Sequence, residues 1–356
     1  MSTREGPVAL ITGGAGFVGT NLAARLLSRG QRVLIFDNLS RPGTERNARW
    51  LLEHHGERAE LEIADVLDCN AVQAAVRRAR EVYHLAAQAA VTTSLAAPLR
   101  DFEVNARGTL NVLEAVRAQA PPPPLIYTST NKVYGALPDV QLIRTPSRYT
   151  PEDPLLAANG IDESRPLDFH SPYGCSKGAA DQYVRDYGRC FGLSTVVLRM
   201  SCIYGPHQLG NEDQGWVAHF MSEARYGRPI TICGDGRQVR DVLFVDDLVA
   251  ALELTMHSIH RLAGKVFNLG GGPGNTVSLI ELTQLLAGEL GLTTGLQHAP
   301  WRRGDQRYYV TNFSKLAAAT GWSPQVRLEQ GLKRLHAWLA AAGPVRELAA
   351  RRAVLQ

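Results

Sequence analysis

Short apolar runs recur along the first 200 positions, and stretches with helical spacing separate several of them. Val8-Ala9-Leu10-Ile11, Val33-Leu34-Ile35-Phe36, Val82-Tyr83-His84-Leu85, Leu125-Ile126-Tyr127-Thr128 and Thr195-Val196-Val197-Leu198 are continuous rather than alternating. Such runs mark strands covered on both faces, as in a parallel sheet flanked by helices. Leu61-Glu62-Ile63 adds a more polar member. Residues 19–30 put Leu22, Leu26 and Leu27 on one helical face and stop at Gly30. Residues 105–119 do the same with Leu110, Val112, Leu113 and Val116, and four prolines at 121–124 end them. The pattern predicts an α/β fold, a Rossmann-type doubly wound parallel sheet.

After Ser129 the pattern loosens. Residues 136–170 are rich in Pro, Asp, Arg and Thr and read as a long surface excursion. A helix resumes near Pro172, with Ser171 as its cap. A further helix is expected over 278–291. Beyond Ser201 the elements are irregular and carry Gly-rich turns, Gly234-Asp235-Gly236 and Gly270-Gly271-Gly272. We therefore expect a nucleotide-binding domain over 1–195. A smaller α/β substrate domain follows over 196–345, interleaved through a segment near 238–262 that returns to the sheet at Val242-Leu243-Phe244. Residues 346–356 form a tail.

The 356 residues carry a net charge of +4, and 45% of them are hydrophobic. That excludes a polyanion partner such as nucleic acid, which needs clustered basic residues, and leaves room for small anionic ligands. The five scattered cysteines show no metal spacing, so no metal is expected. No 18-residue apolar run and no apolar leader are visible, which points to a cytoplasmic protein away from membranes.

The chemistry lies in two motifs. Thr12-Gly13-Gly14-Ala15-Gly16-Phe17-Val18-Gly19 falls at a strand-to-helix turn. Its glycines allow a tight turn and close approach of a pyrophosphate to the helix N-terminus. Asp37 ends the next strand, 18 residues after Gly19, where a carboxylate accepts the adenosine ribose hydroxyls and repels a 2′-phosphate. NAD is thus favoured over NADP, with Arg41 a partial counterweight. Asp65-Val66 ends the third strand and would hold the adenine. In the second motif, Tyr173 and Lys177 are four apart and share a helix face. An ammonium there would draw the phenol pKa down from its ordinary 10 and make Tyr173 a general base and acid. Thr130 follows the strand Leu125–Thr128 and can reach the same sheet edge.

With Asp37-Asn38-Leu39-Ser40, His84-Leu85-Ala86-Ala87-Gln88 and Tyr134-Gly135, these motifs resemble the extended short-chain dehydrogenase/reductase family over roughly residues 7–340. The resemblance implies Thr130, Tyr173 and Lys177 as the catalytic residues. It implies a cofactor site of Gly13, Gly16, Phe17, Val18, Asp37, Asn38, Ser40, Arg41, Asp65, Val66, Leu85, Ala86, Ala87, Gln88 and Asn105, with Tyr173 and Lys177. Gly234-Asp235-Gly236, Arg240-Asp241-Val242 and Arg302-Arg303-Gly304-Asp305 look like its nucleotide-sugar segments, with Arg240 and Arg302 gripping the phosphates. Thr93, Asn131, Gln208 and Gln214 are the remaining substrate-binding candidates.

Dehydratases of the family carry an acidic pair after the catalytic threonine, and this chain has Asn131-Lys132. Ser129-Thr130-Asn131-Lys132-Val133-Tyr134-Gly135, residues 167–183, Asp213-Gln214-Gly215-Trp216-Val217 and Asp305-Gln306-Arg307 instead resemble the CDP-paratose 2-epimerase group. Cys202 stands where ordinary 4-epimerases have asparagine. Met200 and residues 138–160 depart from the group, so the implied substrate is CDP-paratose or a relative. The implied activity is NAD-dependent epimerisation at C2 through a transient 2-keto sugar. A UDP-sugar 4-epimerase and a non-catalytic NAD-sensing regulatory protein are the alternatives. The family pairs the helices at 105–119 and 172–191 in a four-helix bundle, which implies a homodimer or tetramer.

Overall fold

The computed structural model describes residues 8–302 and 304–342. The start at 1–7, Arg303 of the arginine motif and the tail at 346–356 lie outside them. Seven parallel strands form the central sheet: β1 (Val8–Thr12), β2 (Val33–Asp37), β3 (Ala59–Ile63), β4 (Ala79–His84), β5 (Leu125–Thr130), β6 (Thr195–Met200) and β7 (Lys265–Leu269). Their order is β7-β6-β5-β4-β1-β2-β3. The sheet grows outward from β1 in both directions, so a crevice opens at the C-terminal ends of β1 and β4.

The apolar runs are continuous because alternate residues serve two cores. Ala9, Ile11, Val33 and Ile35 face one layer, with Leu22 and Leu26 of helix Phe17–Ser28 and Leu248 and Leu252 of helix Val245–His257. Val8, Leu10, Leu34 and Tyr127 face the other, with Val112 and Val116 of helix Gly108–Arg117 and Val184 of helix Ser171–Cys190.

Three expectations change. The strand at Val239–Phe244 does not return to the central sheet. It pairs with Cys202–Tyr204, Thr276–Ser278 and Tyr308–Tyr309, while β7 takes the edge beside β6. Both are short buried runs, which periodicity cannot rank. The excursion at 136–170 is not a bare loop. It holds a hairpin, Leu142–Arg144 with Tyr149–Pro151, and a helix, Pro154–Asn159. Leu137 and Ile161 pack with Val133, Tyr134 and Tyr309 in a small core of their own. The 105–119 helix starts earlier, at Pro98–Phe102, and passes through a π-turn at Glu103–Arg107 that contains Asn105.

The helix over 278–291 appears as Leu279–Leu290. Ser278 caps it, and Glu281 reaches back to the Ser278 N–H in a capping box. Among the described residues no helix is long and apolar enough to cross a membrane.

Candidate active site

A cleft of about 470 Å³ opens at the sheet's C-terminal edge. Gly13, Gly16, Phe17, Val18, Asp37, Asn38, Ser40, Arg41, Asp65, Val66, Leu85, Ala86, Ala87 and Gln88 line it. So do Thr93, Tyr173, Lys177, Met200 and Gln214. The sequence places these on separate segments, and the crossover connections bring them to one crevice.

Backbone packing makes glycine necessary at the turn. Gly13 has φ +69°, and a Cβ there would sit 2.8 Å from the Ala86 nitrogen. At Gly19 a Cβ would meet the Gly13 carbonyl oxygen at 2.3 Å. Asp37 braces this turn: its carboxylate accepts from the Ala15 N–H at 3.0 Å and the Leu39 N–H at 2.9 Å. Burial pushes its pKa up, against those backbone bonds. Asp65 accepts from Arg100 at 2.8 Å and Asn38 at 3.0 Å, so it ties two cleft walls together.

Asn105 lies behind the wall and does not line the cleft. It is buried, and its carboxamide clasps Gln88 both ways, Oδ1 taking the Gln88 N–H at 2.9 Å and Nδ2 donating to its carbonyl at 3.0 Å. Its part is to shape the loop after β4. Gln214, expected on the sugar, instead accepts from the Arg41 guanidinium on the cofactor side of the cleft. Gln208 is buried, donates to the Ile203 carbonyl at 3.1 Å and does not line the cleft.

At the inner end, Lys177 donates to the Thr128 carbonyl at 2.6 Å. Burial brings its pKa down to about 7, with Asp181 and Asp101 opposing. Burial also pushes the Tyr173 phenol up to about 12, with a hydrogen bond to Thr130 working against the shift. This corrects the expectation that the ammonium sets the phenol's acidity. Both groups are displaced toward their neutral forms, Lys177 because it is buried and Tyr173 because the protein crowds its half-buried phenol. Ser171 has φ +63°, and its hydroxyl accepts the Gly174 N–H at 3.3 Å in cap fashion.

Sequence reasoning missed three groups here. Ser129 lines the cleft, and its hydroxyl is buried without a partner among the described residues. Asp101 accepts from Ser176 at 2.5 Å and Gln88 at 2.8 Å beneath the Tyr173 helix. Gln306 is fully buried; its Oε1 accepts from Asn131 and from Lys132, each at 3.3 Å. The Asp305-Gln306-Arg307 motif was the only signal for it. Arg240 is buried and donates to Asp305 at 2.6 Å and to the Gln306 carbonyl at 2.5 Å. Arg302 sits apart, on Cys233 at 3.1 Å and the Glu212 carbonyl.

A family model for the NAD dependent epimerase/dehydratase family matches residues 9–270. The chain belongs to that family. It is 43% identical over 339 residues to CDP-paratose 2-epimerase of Salmonella typhi, covering 93% of this chain and 99% of that one. Among solved structures it resembles a Thermus thermophilus UDP-glucose 4-epimerase in complex with NAD. The TM-score is 0.77 and the identity 33%, over 94% of this chain and 99% of that one. A Thermotoga maritima UDP-glucose 4-epimerase with UDP-glucose gives a TM-score of 0.78 and 29% identity over the same shares.

The family's cofactor, NAD, suits the cleft. The glycine turn leaves its backbone bare at a helix N-terminus, Asp37 stands at the end of β2, and the unpartnered Ser129 hydroxyl lies at the inner end beside Tyr173 and Lys177.

Proposed function

We propose that this chain epimerises a nucleoside-diphosphate sugar at C2, with CDP-paratose or a close relative as substrate. The observation that carries this reading is the end-to-end likeness to CDP-paratose 2-epimerase of Salmonella typhi, at 43% identity. A cleft in which Tyr173 and Lys177 meet supports it.

NAD, when bound, accepts a hydride from the sugar and gives it back, so no external oxidant is consumed. Tyr173 takes the proton of the C2 hydroxyl and later returns it. Thr130 hydrogen-bonds both the phenol and the sugar oxygen. Lys177, fixed on Thr128, offers its remaining N–H groups to the cleft. Arg240 and Arg302 hold the diphosphate while the flat 2-keto sugar turns over. Arg240 leaves Asp305 to do so. A loose sugar pocket beside a firm nucleotide grip permits return of the hydride to the opposite face.

The chain acts as a homodimer. Leu99 and Phe102 expose 72% and 54% of their surface beside helix Ser171–Cys190, where Tyr183 is also exposed. A panel of CDP- and UDP-sugars, with the changed carbon read by NMR, tests the reading. Inversion at C4 of a UDP-sugar alone overturns it.

A further inference from the structure

Lys132 and Arg240 share one carboxylate oxygen. Asp305 Oδ1 lies 2.6 Å from the Arg240 guanidinium and 3.7 Å from the Lys132 ammonium. The side chains are only 7% and 21% exposed. Two cations on one carboxylate leave a surplus positive charge in a site withdrawn from water, which is costly until an anion arrives. Among the described residues the Lys132 ammonium donates to Gln306 Oε1 at 3.3 Å and is ion-paired with Asp305 at 3.7 Å. An ammonium carries three N–H donors, so one remains for a ligand.

The position of this charge is specific. The Lys132 backbone N–H donates to the Thr130 hydroxyl at 3.2 Å, so the ammonium belongs to the same turn as the group that meets the sugar. Gln306 fixes the turn from the far side. Its Nε2 donates to the Gly135 carbonyl at 2.6 Å while its Oε1 takes Asn131 and Lys132. The cationic pair thus begins two residues from Thr130.

We infer that Lys132 is a phosphate-binding residue that holds the sugar-side phosphate of the substrate together with Arg240, Asp305 standing in for that anion when no substrate is bound. The inference rests on the C2 reading. C2 is bonded to C1, which carries the phosphate, so a sugar reacting at C2 brings its phosphate close to Thr130 and Tyr173. A sugar reacting at C4 places the phosphate across the ring. Burial and the neighbouring Arg240 lower the Lys132 pKa, and a phosphate there would raise it again.

The test compares nucleotide binding to the NAD-loaded protein by calorimetry, using CDP and CMP and, in parallel, UDP and UMP. Lys132→Gln is expected to weaken the preferred diphosphate about tenfold or more while leaving its monophosphate unchanged. The unchanged monophosphate shows that the variant is folded. Lys132→Arg should recover most of the loss. Equal diphosphate affinity in wild type and Lys132→Gln overturns the inference, whatever carbon reacts. A wild-type product inverted at C4 overturns the C2 reading instead, and with it the reason for a cation at this position. The two failures are therefore read on separate measurements.

Discussion

The Lys177 ammonium lies 2.6 Å from the carbonyl oxygen of Thr128 and 4.2 Å from the centre of the Tyr127 ring. Strand β5 therefore fixes the cation from below while the helix supplies it from above. Burial holds its pKa at about 7, below the ordinary 10.5. Between those values the native state binds fewer protons than the unfolded chain, so stability rises with pH across that window. The penalty is complete below pH 7 and fades toward pH 10.5. Lys177→Met should raise the Tm of the cofactor-free protein at about pH 6, and raise it less at about pH 10. A larger gain at the higher pH would contradict the assignment.

Asp37 does two jobs, one in the fold and one in the cleft. Its carboxylate receives the Ala15 and Leu39 N–H groups, and the residue lines the cleft at the end of β2. Asp37→Ser should weaken NAD binding about tenfold or more and narrow the preference for NAD over NADP. Fluorescence titration with both dinucleotides measures it. Unaltered selectivity would remove Asp37 from cofactor choice.

Gly19 has no room for a side chain, because a Cβ would stand 2.3 Å from the Gly13 carbonyl oxygen. Gly19→Ala forces the helix away from the turn. We expect a loss of about 1–3 kcal/mol, typical of overpacking, together with a larger loss of NAD affinity. Gly288 meets nothing within 4 Å in helix Leu279–Leu290, so Gly288→Ala is the control and should be neutral or stabilising.

The exposed apolar side chains of Leu99 and Phe102 predict association through this flank. Phe102→Glu should shift a dimer to monomer in analytical ultracentrifugation, with the cleft still able to bind NAD. A wild-type protein that sediments as a monomer at micromolar concentration would refute the homodimer.

What could be seen in the sequence divides along physical lines. The buried strands and the glycine turn were legible because each imposes a local pattern: continuous apolar residues for two-sided burial, glycines where backbones touch. Tyr173 and Lys177 were legible through helical spacing. The electrostatics were not. Their charge states follow from burial, which pushes the Tyr173 phenol up and the Lys177 ammonium down and outweighs the pull expected between the two side chains. Gln306 and Asp101 carry no periodic signature, because their worth lies in partners up to 175 residues away. Val242–Phe244 misled because an apolar run says that a strand is buried without saying in which sheet.

In the proposed reaction hydride leaves and re-enters at C2. Purified protein incubated with CDP-paratose deuterated at C2 tests it most directly, with configuration and label followed by NMR. Inversion at C2 with the deuterium retained is the expected result. Inversion confined to C4, or washout of the label into solvent, would contradict it.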